Sequence, residues 1–219
     1  MVSTPSSAFP PAGGPGPDAD RITLGPADAE QRLVLLHGWG ADADDLLDLA
    51  ELLVDPRVSV VALRAPEPHP YGAGRQWYDL QPIDWDQLPA ARRALRERLE
   101  ALGASVPLER TVLLGFSQGG AMALDAGSAL PLAGLVACSS YPHPDWQPRP
   151  PLCPVLLSHG EQDPVVPFEA SRELQRRLAE AGQAAQLLAF PGGHTIDAGA
   201  LPAIRQFVQA CLGAADPAA

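Results

Sequence analysis

Short apolar runs recur along the chain and alternate with segments whose leucines fall at helical spacing. Gln31–Leu36, Val58–Leu63, Thr111–Leu114, Leu132–Cys138, Val155–Ser158 and Gln186–Phe190 have the length and composition of buried strands, and Arg21–Leu24 reads as a short first one. Between them, Ala43–Val54 carries Leu46, Leu47, Ala50 and Leu53 on one face, and Asp84–Leu102 carries Leu88, Leu95, Leu99 and Leu102 before a stop at Gly103. Phe168–Ala181 and Ala198–Leu212 repeat the helical pattern, and a run of small residues after Ser117 predicts another helix. Strand, helix and strand in alternation predict one doubly wound α/β domain with a mostly parallel sheet.

Two stretches break this rhythm. Residues 64–82 and 139–151 are rich in Pro and Gly, hold Trp77, Tyr78, Tyr141 and Trp146, and read as long ordered loops, each a candidate lid. Residues 1–19 are crowded with Pro, Gly and Ser and predict a disordered tail, followed by a domain over 20–213 and a flexible C-terminus at 214–219.

Composition narrows the function. At 219 residues the chain suits one domain with a sizeable core. A formal charge of −11 argues against nucleic acid and anionic membrane surfaces, which it would repel. Three cysteines, Cys138, Cys153 and Cys211, show neither C-x-x-C nor His spacing, so no disulfide framework and no metal site is expected. Without a signal-like N-terminus or a run long enough to span a bilayer, the expectation is a soluble cytoplasmic protein without stable membrane insertion.

The stretch Thr111 to Ala123 concentrates the chemistry. Gly115-Phe116-Ser117-Gln118-Gly119 is a G-x-S-x-G match set between a strand and a helix. Glycines two residues to either side let strand and helix close up, and the turn strains Ser117 while lifting its hydroxyl clear. A serine hydroxyl needs a general base and a group to orient that base. His194, in the turn Pro191-Gly192-Gly193-His194-Thr195 after the last strand, is the expected base. Asp163, in the turn His159–Pro167, is the expected acid; Glu161 is the alternative, and an ordinary turn or cap role for Asp163 is the bland one. The chain order Ser, Asp, His is that of the α/β-hydrolase arrangement. The backbone amides of Gln118 and Trp39 are the expected oxyanion donors, with His37 holding the turn His37-Gly38-Trp39-Gly40 by its side chain. His69 and His143, in the Pro-rich loops, are expected to be exposed, and His159 to satisfy local backbone groups.

Together the motifs H-G-W-G-A-D, G-R-Q-W-Y-D, G-F-S-Q-G-G, H-G-E-Q-D-P-V-V-P and P-G-G-H-T-I resemble the phospholipase/carboxylesterase family of α/β hydrolases, over Arg32 to Leu212. That family includes carboxylesterases, lysophospholipases and acyl-protein thioesterases. The resemblance implies a Ser117, Asp163, His194 triad, oxyanion donors at Trp39 and Gln118, no cofactor, and a small-molecule acyl ester or thioester as substrate. Trp39 stands where many relatives carry leucine, and Ser140 where glycine is usual. Trp39, Trp77, Tyr78, Tyr141 and Phe168 are the expected walls of an acyl pocket suited to short or medium chains. A binding module without turnover is the rival from another class, and the oligomeric state, a homodimer included, is left open.

Overall fold

The computed structural model describes residues 20–148 and 153–214. The expected tail at 1–19 and all but the first residue of the expected C-terminal segment lie outside the described residues, as does the end of the second Pro-rich loop. Seven strands form one sheet: β1 Arg21–Leu24, β2 Arg32–Leu36, β3 Ser59–Leu63, β6 Thr111–Phe116, β7 Gly134–Cys138, β8 Val155–Gly160 and β9 Ala185–Phe190, in the order β1-β3-β2-β6-β7-β8-β9. All neighbours run parallel except β1, which pairs antiparallel with β3 at the edge. Among the described residues five α-helices, α1 Leu47–Leu53, α2 Leu88–Leu102, α3 Gln118–Gly127, α4 Glu169–Glu180 and α5 Leu201–Ala214, cover the sheet.

Apolar residues on both faces of the strands explain why the sheet is sandwiched. On β2, Val34 and Leu36 join the core beneath α2, α3 and α4, while Leu33 and Leu35 join the core beneath α1 and α5. The side-chain period of two sends neighbours to opposite layers, so an unbroken apolar run requires helices on both sides. The central strand β6 lies between β2 and β7, with Leu36 opposite Gly115 and Cys138 opposite Phe116. Its C-terminal end therefore opens where two neighbouring strands also end.

Several boundaries differ from the sequence reading, each for a local reason. Helix α1 starts at Leu47 rather than Ala43, because Asp42 accepts the Ala43 amide (2.7 Å) and Arg64 (2.7 Å), holding residues 42–46 in turns. The stretch beginning at Asp84 opens as a single 3-10 turn, Trp85–Gln87, capped by Asp84, and becomes α-helical at Leu88, with Pro89 in the first turn. β7 starts at Gly134, since Leu132 is still in the turn that closes α3. α5 begins at Leu201 and runs to Ala214, past the expected end. The 64–82 loop contains a small hairpin, β4 Glu67–Pro68 with β5 Arg75–Gln76.

The three thiols are free, and burial pushes them up to about 12 for Cys138, about 12 for Cys153 and about 11 for Cys211. No helix among the described residues is long and apolar enough to cross a membrane.

Candidate active site

The turn between β6 and α3 is as tight as its glycines allow. Ser117 sits at φ 53° and ψ −119°, a left-handed backbone that costs about 1–3 kcal/mol and persists only where the surroundings enforce it. They do so from both sides. A Cβ on Gly115 would lie 2.2 Å from the Gly119 carbonyl oxygen, and one on Gly119 would lie 2.3 Å from that of Leu36. The Ser117 amide donates to the Cys138 carbonyl (2.8 Å), tying the turn to β7.

Two loops meet this turn from the far side of the sheet. β8 and β9 end together, and Gly160 passes so close to the next loop that a Cβ there would lie 2.3 Å from the Gly192 oxygen. The Gln162 amide donates to Gly192 O (2.9 Å), fixing the Asp163 turn against the His194 turn. Asp163 Oδ1 accepts the amides of Val165 (2.8 Å) and Val166 (2.9 Å), and Oδ2 lies 2.7 Å from His194 Nδ1. His194 Nε2 lies 3.0 Å from Ser117 Oγ. Burial works to raise the Asp163 carboxyl, but the Val166 amide, the His194 ring and the Val165 amide together hold it below the ordinary carboxylate value. An ionised carboxylate only accepts, so His194 Nδ1 carries the proton and Nε2 presents its lone pair to the serine. Glu161 is exposed and makes no hydrogen bond to His194 among the described residues. His159, fully buried, lies between Ser171 Oγ and the Val166 carbonyl, close to Asp163.

The turn after β2 lies on the opposite side of Ser117. His37 Nδ1 donates to the Gly38 carbonyl (2.8 Å) and Nε2 accepts the Ala65 amide (3.0 Å), so the ring spans two backbone groups. Trp39 is half-buried; its indole N–H donates to Gln76 Oε1 (2.8 Å) and its ring meets His69 edge-on at 4.3 Å. The small hairpin is fastened to this turn by Gly40 N–H to Arg75 O (2.9 Å) and Arg75 N–H to Ala41 O (2.7 Å). Among the described residues, neither the Trp39 nor the Gln118 amide has a protein acceptor.

Other expected residues sit elsewhere than the sequence suggested. Trp77 and Tyr78, read as pocket walls, are 2% and 0% exposed and belong to the core. Their aromatic surface is worth more against the apolar layer than against solvent, and the Trp77 indole also donates to His37 O (3.0 Å). Phe168 is buried as well, between the His159 ring and the Arg172 guanidinium. Tyr141 is half-buried. His143, expected in solvent, is sealed inside, and His69 is half-buried against Trp39. Ser140 is also buried: a Cβ on Gly120 would lie 2.9 Å from its own Cβ, so the glycine on α3 makes room for the serine.

One role escaped the sequence reading. The Gln118 side chain accepts the Trp77 amide (3.0 Å) and donates to the Tyr78 carbonyl (2.8 Å), clamping the first Pro-rich loop onto the start of α3. A buried amide side chain beside G-x-S is the only signal that could have pointed to it. No three His, Cys, Asp or Glu side chains among the described residues gather as metal ligands.

A mostly parallel sheet with helices on both faces, and a serine on a strained turn between its central strand and the next helix, defines the α/β-hydrolase fold. The family described as Phospholipase/Carboxylesterase matches residues 18–212, and the chain belongs to it. Esterase PE8 has a solved structure that superposes with a TM-score of 0.79 at 31% identity, covering 87% of this chain and 97% of that one. Esterase YpfH of Escherichia coli is 29% identical over 180 residues, 77% of this chain and 78% of the relative. Acyl-protein thioesterase 1 of Neurospora crassa is 31% identical over 163 residues, 60% of this chain and 63% of the relative, so the match spans less than two thirds of that protein.

Proposed function

We propose that the chain hydrolyses carboxylic esters through an acyl-enzyme on Ser117. The observation that carries this reading is the unbroken hydrogen-bonded line from Ser117 Oγ to His194 Nε2 (3.0 Å) and from His194 Nδ1 to Asp163 Oδ2 (2.7 Å). Ser117 Oγ forms a bond to the carbonyl carbon and its proton passes to His194 Nε2. The carbonyl electron pair moves onto oxygen, where the Trp39 and Gln118 amides receive the charge. As the intermediate collapses, the bond to the leaving oxygen breaks and that oxygen takes the proton from Nε2. Water then repeats the sequence, freeing the acid and restoring the serine. Asp163 keeps the imidazole in the correct tautomer and stabilises the imidazolium. Each oxyanion donor of this type contributes about 10²–10³ in turnover.

Acyl groups of short to medium length fit best, because Trp39 is fastened by Gln76 and His69 beside the amide that would hold the oxyanion. Thioesters are the second reading: a similar protein bears the name acyl-protein thioesterase, and the same attack and proton transfer serve a thiolate leaving group. The three free thiols, two of them buried, suit a reducing compartment, and we place the protein in the cytoplasm.

A p-nitrophenyl ester series from acetate to palmitate, run beside an acyl thioester, tests the reading. The wild type should favour the shorter esters and should gain the mass of one fluorophosphonate adduct. Ser117→Ala should lose both turnover and labelling while keeping its melting transition. A wild type that neither turns over nor labels would instead be a binding module.

A further inference from the structure

Beside His194 runs an open groove of about 400 Å³ between α1 and the loop that leads to α5, and neither Trp39 nor Gln118 is among the residues that line it. Leu49, Leu52, Phe116, His194 and Ile196 line it. Its size falls in the range of small-molecule sites, about 300–1,000 Å³. Leu52 is 53% exposed, a large apolar side chain left uncovered at the groove's edge. The Phe116 ring lies 4.9 Å from the His194 ring, so the apolar lining runs up to the imidazole itself. On the rim, Asp45 and Asp48 are both exposed carboxylates, on a chain of net charge −11.

We propose that this groove receives the leaving-group side of the substrate, and that its ligand is an uncharged alkyl or aryl alcohol in ester linkage. The inference rests on the ester-hydrolase reading above and specifies the substrate of that same site. The argument is positional. In the tetrahedral intermediate the charged oxygen turns to the amides of Trp39 and Gln118, and the leaving oxygen must face the nitrogen that protonates it. The groove is bounded by the proton donor and by neither oxyanion donor, so it collects whatever is attached to the leaving oxygen. Apolar walls favour a hydrocarbon there. Carboxylates on the rim, added to the field of an acidic protein, disfavour an anionic alcohol such as one bearing phosphate or sulfonate.

The experiment varies the alcohol while the acyl group stays acetate. Methyl and butyl acetate differ little in intrinsic reactivity, so the ratio of their kcat/KM values reads burial of the alcohol chain. Burying three methylenes should raise kcat/KM for butyl acetate about tenfold or more over methyl acetate. The ratio should fall about fivefold or more in Leu52→Glu, a substitution at an exposed position that places little demand on folding, and likewise in Leu49→Trp, which fills the groove. A sulfonate on the far end of the butyl chain should cost several-fold at low ionic strength, and part of that loss should return in ~0.5 M salt, where screening acts within a few ångströms. A flat ratio in the wild type, or one unmoved by both substitutions, overturns the inference while leaving the hydrolase reading intact. A wild type that turns over no ester overturns both. A flat ratio together with a dimer that Leu52→Glu dissociates would give the groove to a second copy of the chain, which also overturns the inference.

Discussion

Among the described residues, two Asp–His pairs share nearly identical local geometry, and only one of them belongs to the site proposed for chemistry. His194 Nδ1 lies 2.7 Å from Asp163, and His143 Nδ1 lies 2.7 Å from Asp125. Beyond each ring is a hydroxyl: Ser117 Oγ at 3.0 Å from His194, Tyr78 OH at 2.9 Å from His143. The difference is in what surrounds them. The His194 side chain is 17% exposed at the open end of the sheet, whereas His143 is 0% exposed and its chain of hydrogen bonds continues to Tyr141 OH (2.6 Å). Asp125 is also paired with Arg92 (3.0 Å), so one end of the second network is neutralised inside the fold. Burial pushes the Tyr78 phenol up, and the Tyr141 phenol up to about 12, so neither hydroxyl gives up its proton at ordinary pH. A His–Asp pair is therefore an element of both catalysis and architecture. Its position relative to the strand ends, and whether the hydroxyl it faces is open to a substrate, decide which.

The largest effect should come from making the same substitution, or its truncation, at the two carboxylates. In Asp163→Asn the amide oxygen can still accept the Val165 and Val166 amides, which turns the NH₂ toward His194 Nδ1. That forces the proton onto Nε2, the wrong tautomer for accepting from Ser117, and kcat should fall about 10⁴-fold with the fold retained. Asp125→Ala should behave in the opposite way. It leaves a buried His143 N–H without an acceptor and Arg92 with only the exposed Asp145, so stability should drop by about 3 kcal/mol. For a chain of this size that is a fall in melting temperature of roughly 6–12 °C. Melting curves and p-nitrophenyl butyrate kinetics on both variants check this. If Asp125→Ala kept its stability but lost kcat, the two networks would have to be read as one.

The contrast also explains what could be read from sequence. Ser117, Asp163 and His194 are separated by long stretches of chain, yet each lies in the turn after a predicted strand, and a parallel sheet delivers all such turns to one edge. The glycines at 115 and 119 announced the tight turn because backbone crowding there excludes any side chain. The second network left no such trace. Proline content marked 139–151 as a loop, but composition does not say that a loop folds inward. His143 meets Asp125 across 18 residues and Tyr78 across 65, through packing that no strand or helix period encodes. Trp77 and Tyr78 were misplaced for the same reason. Aromatics in a Pro-rich loop can face a cleft or anchor the loop, and the Gln118 clamp that draws these two inward is a tertiary contact.

His37 sharpens the comparison from a third position, because it is sealed like His143 but pairs only with backbone. Burial pushes its ring below the ordinary histidine value; the Gly38 carbonyl and the carboxylates of Asp42 and Asp45 pull the other way, and Arg75 adds to the lowering. The native ring thus resists a proton that the unfolded chain accepts near 6.5. Stability from this residue is whole above that pH. It is lost as the pH falls from there toward the depressed native value, below which the loss levels off. Protonation would also break the bond from the Ala65 amide to Nε2. His37→Leu, similar in bulk and without a polar atom, should remove this part of the slope and cost about 1–3 kcal/mol at pH 8, through the Ala65 amide left without its acceptor. Urea titrations at pH 8, 6.5 and 5 on wild type and variant measure both effects; an identical slope in the two would exclude His37 as its source.

The smallest effect tests whether the second network moves protons at all. With Asp125 held as an acceptor by Arg92, His143 Nδ1 must donate to it, His143 Nε2 must accept from Tyr78, and Tyr78 must accept from Tyr141. Every proton in that line has one place to be, and reversing the line would require a second charge inside the core. Tyr141→Phe keeps the ring and deletes only the last donor, so it should cost about 1 kcal/mol of stability. Tyr78 still donates to His143, and the pH profile of kcat/KM should keep its shape. A proton relay reaching from Asp125 to the site would shift that profile when its terminal hydroxyl is removed. A purely architectural network shifts only the melting curve, because its hydrogen bonds fix where the second loop packs and take no part in the transfer between Ser117 and His194.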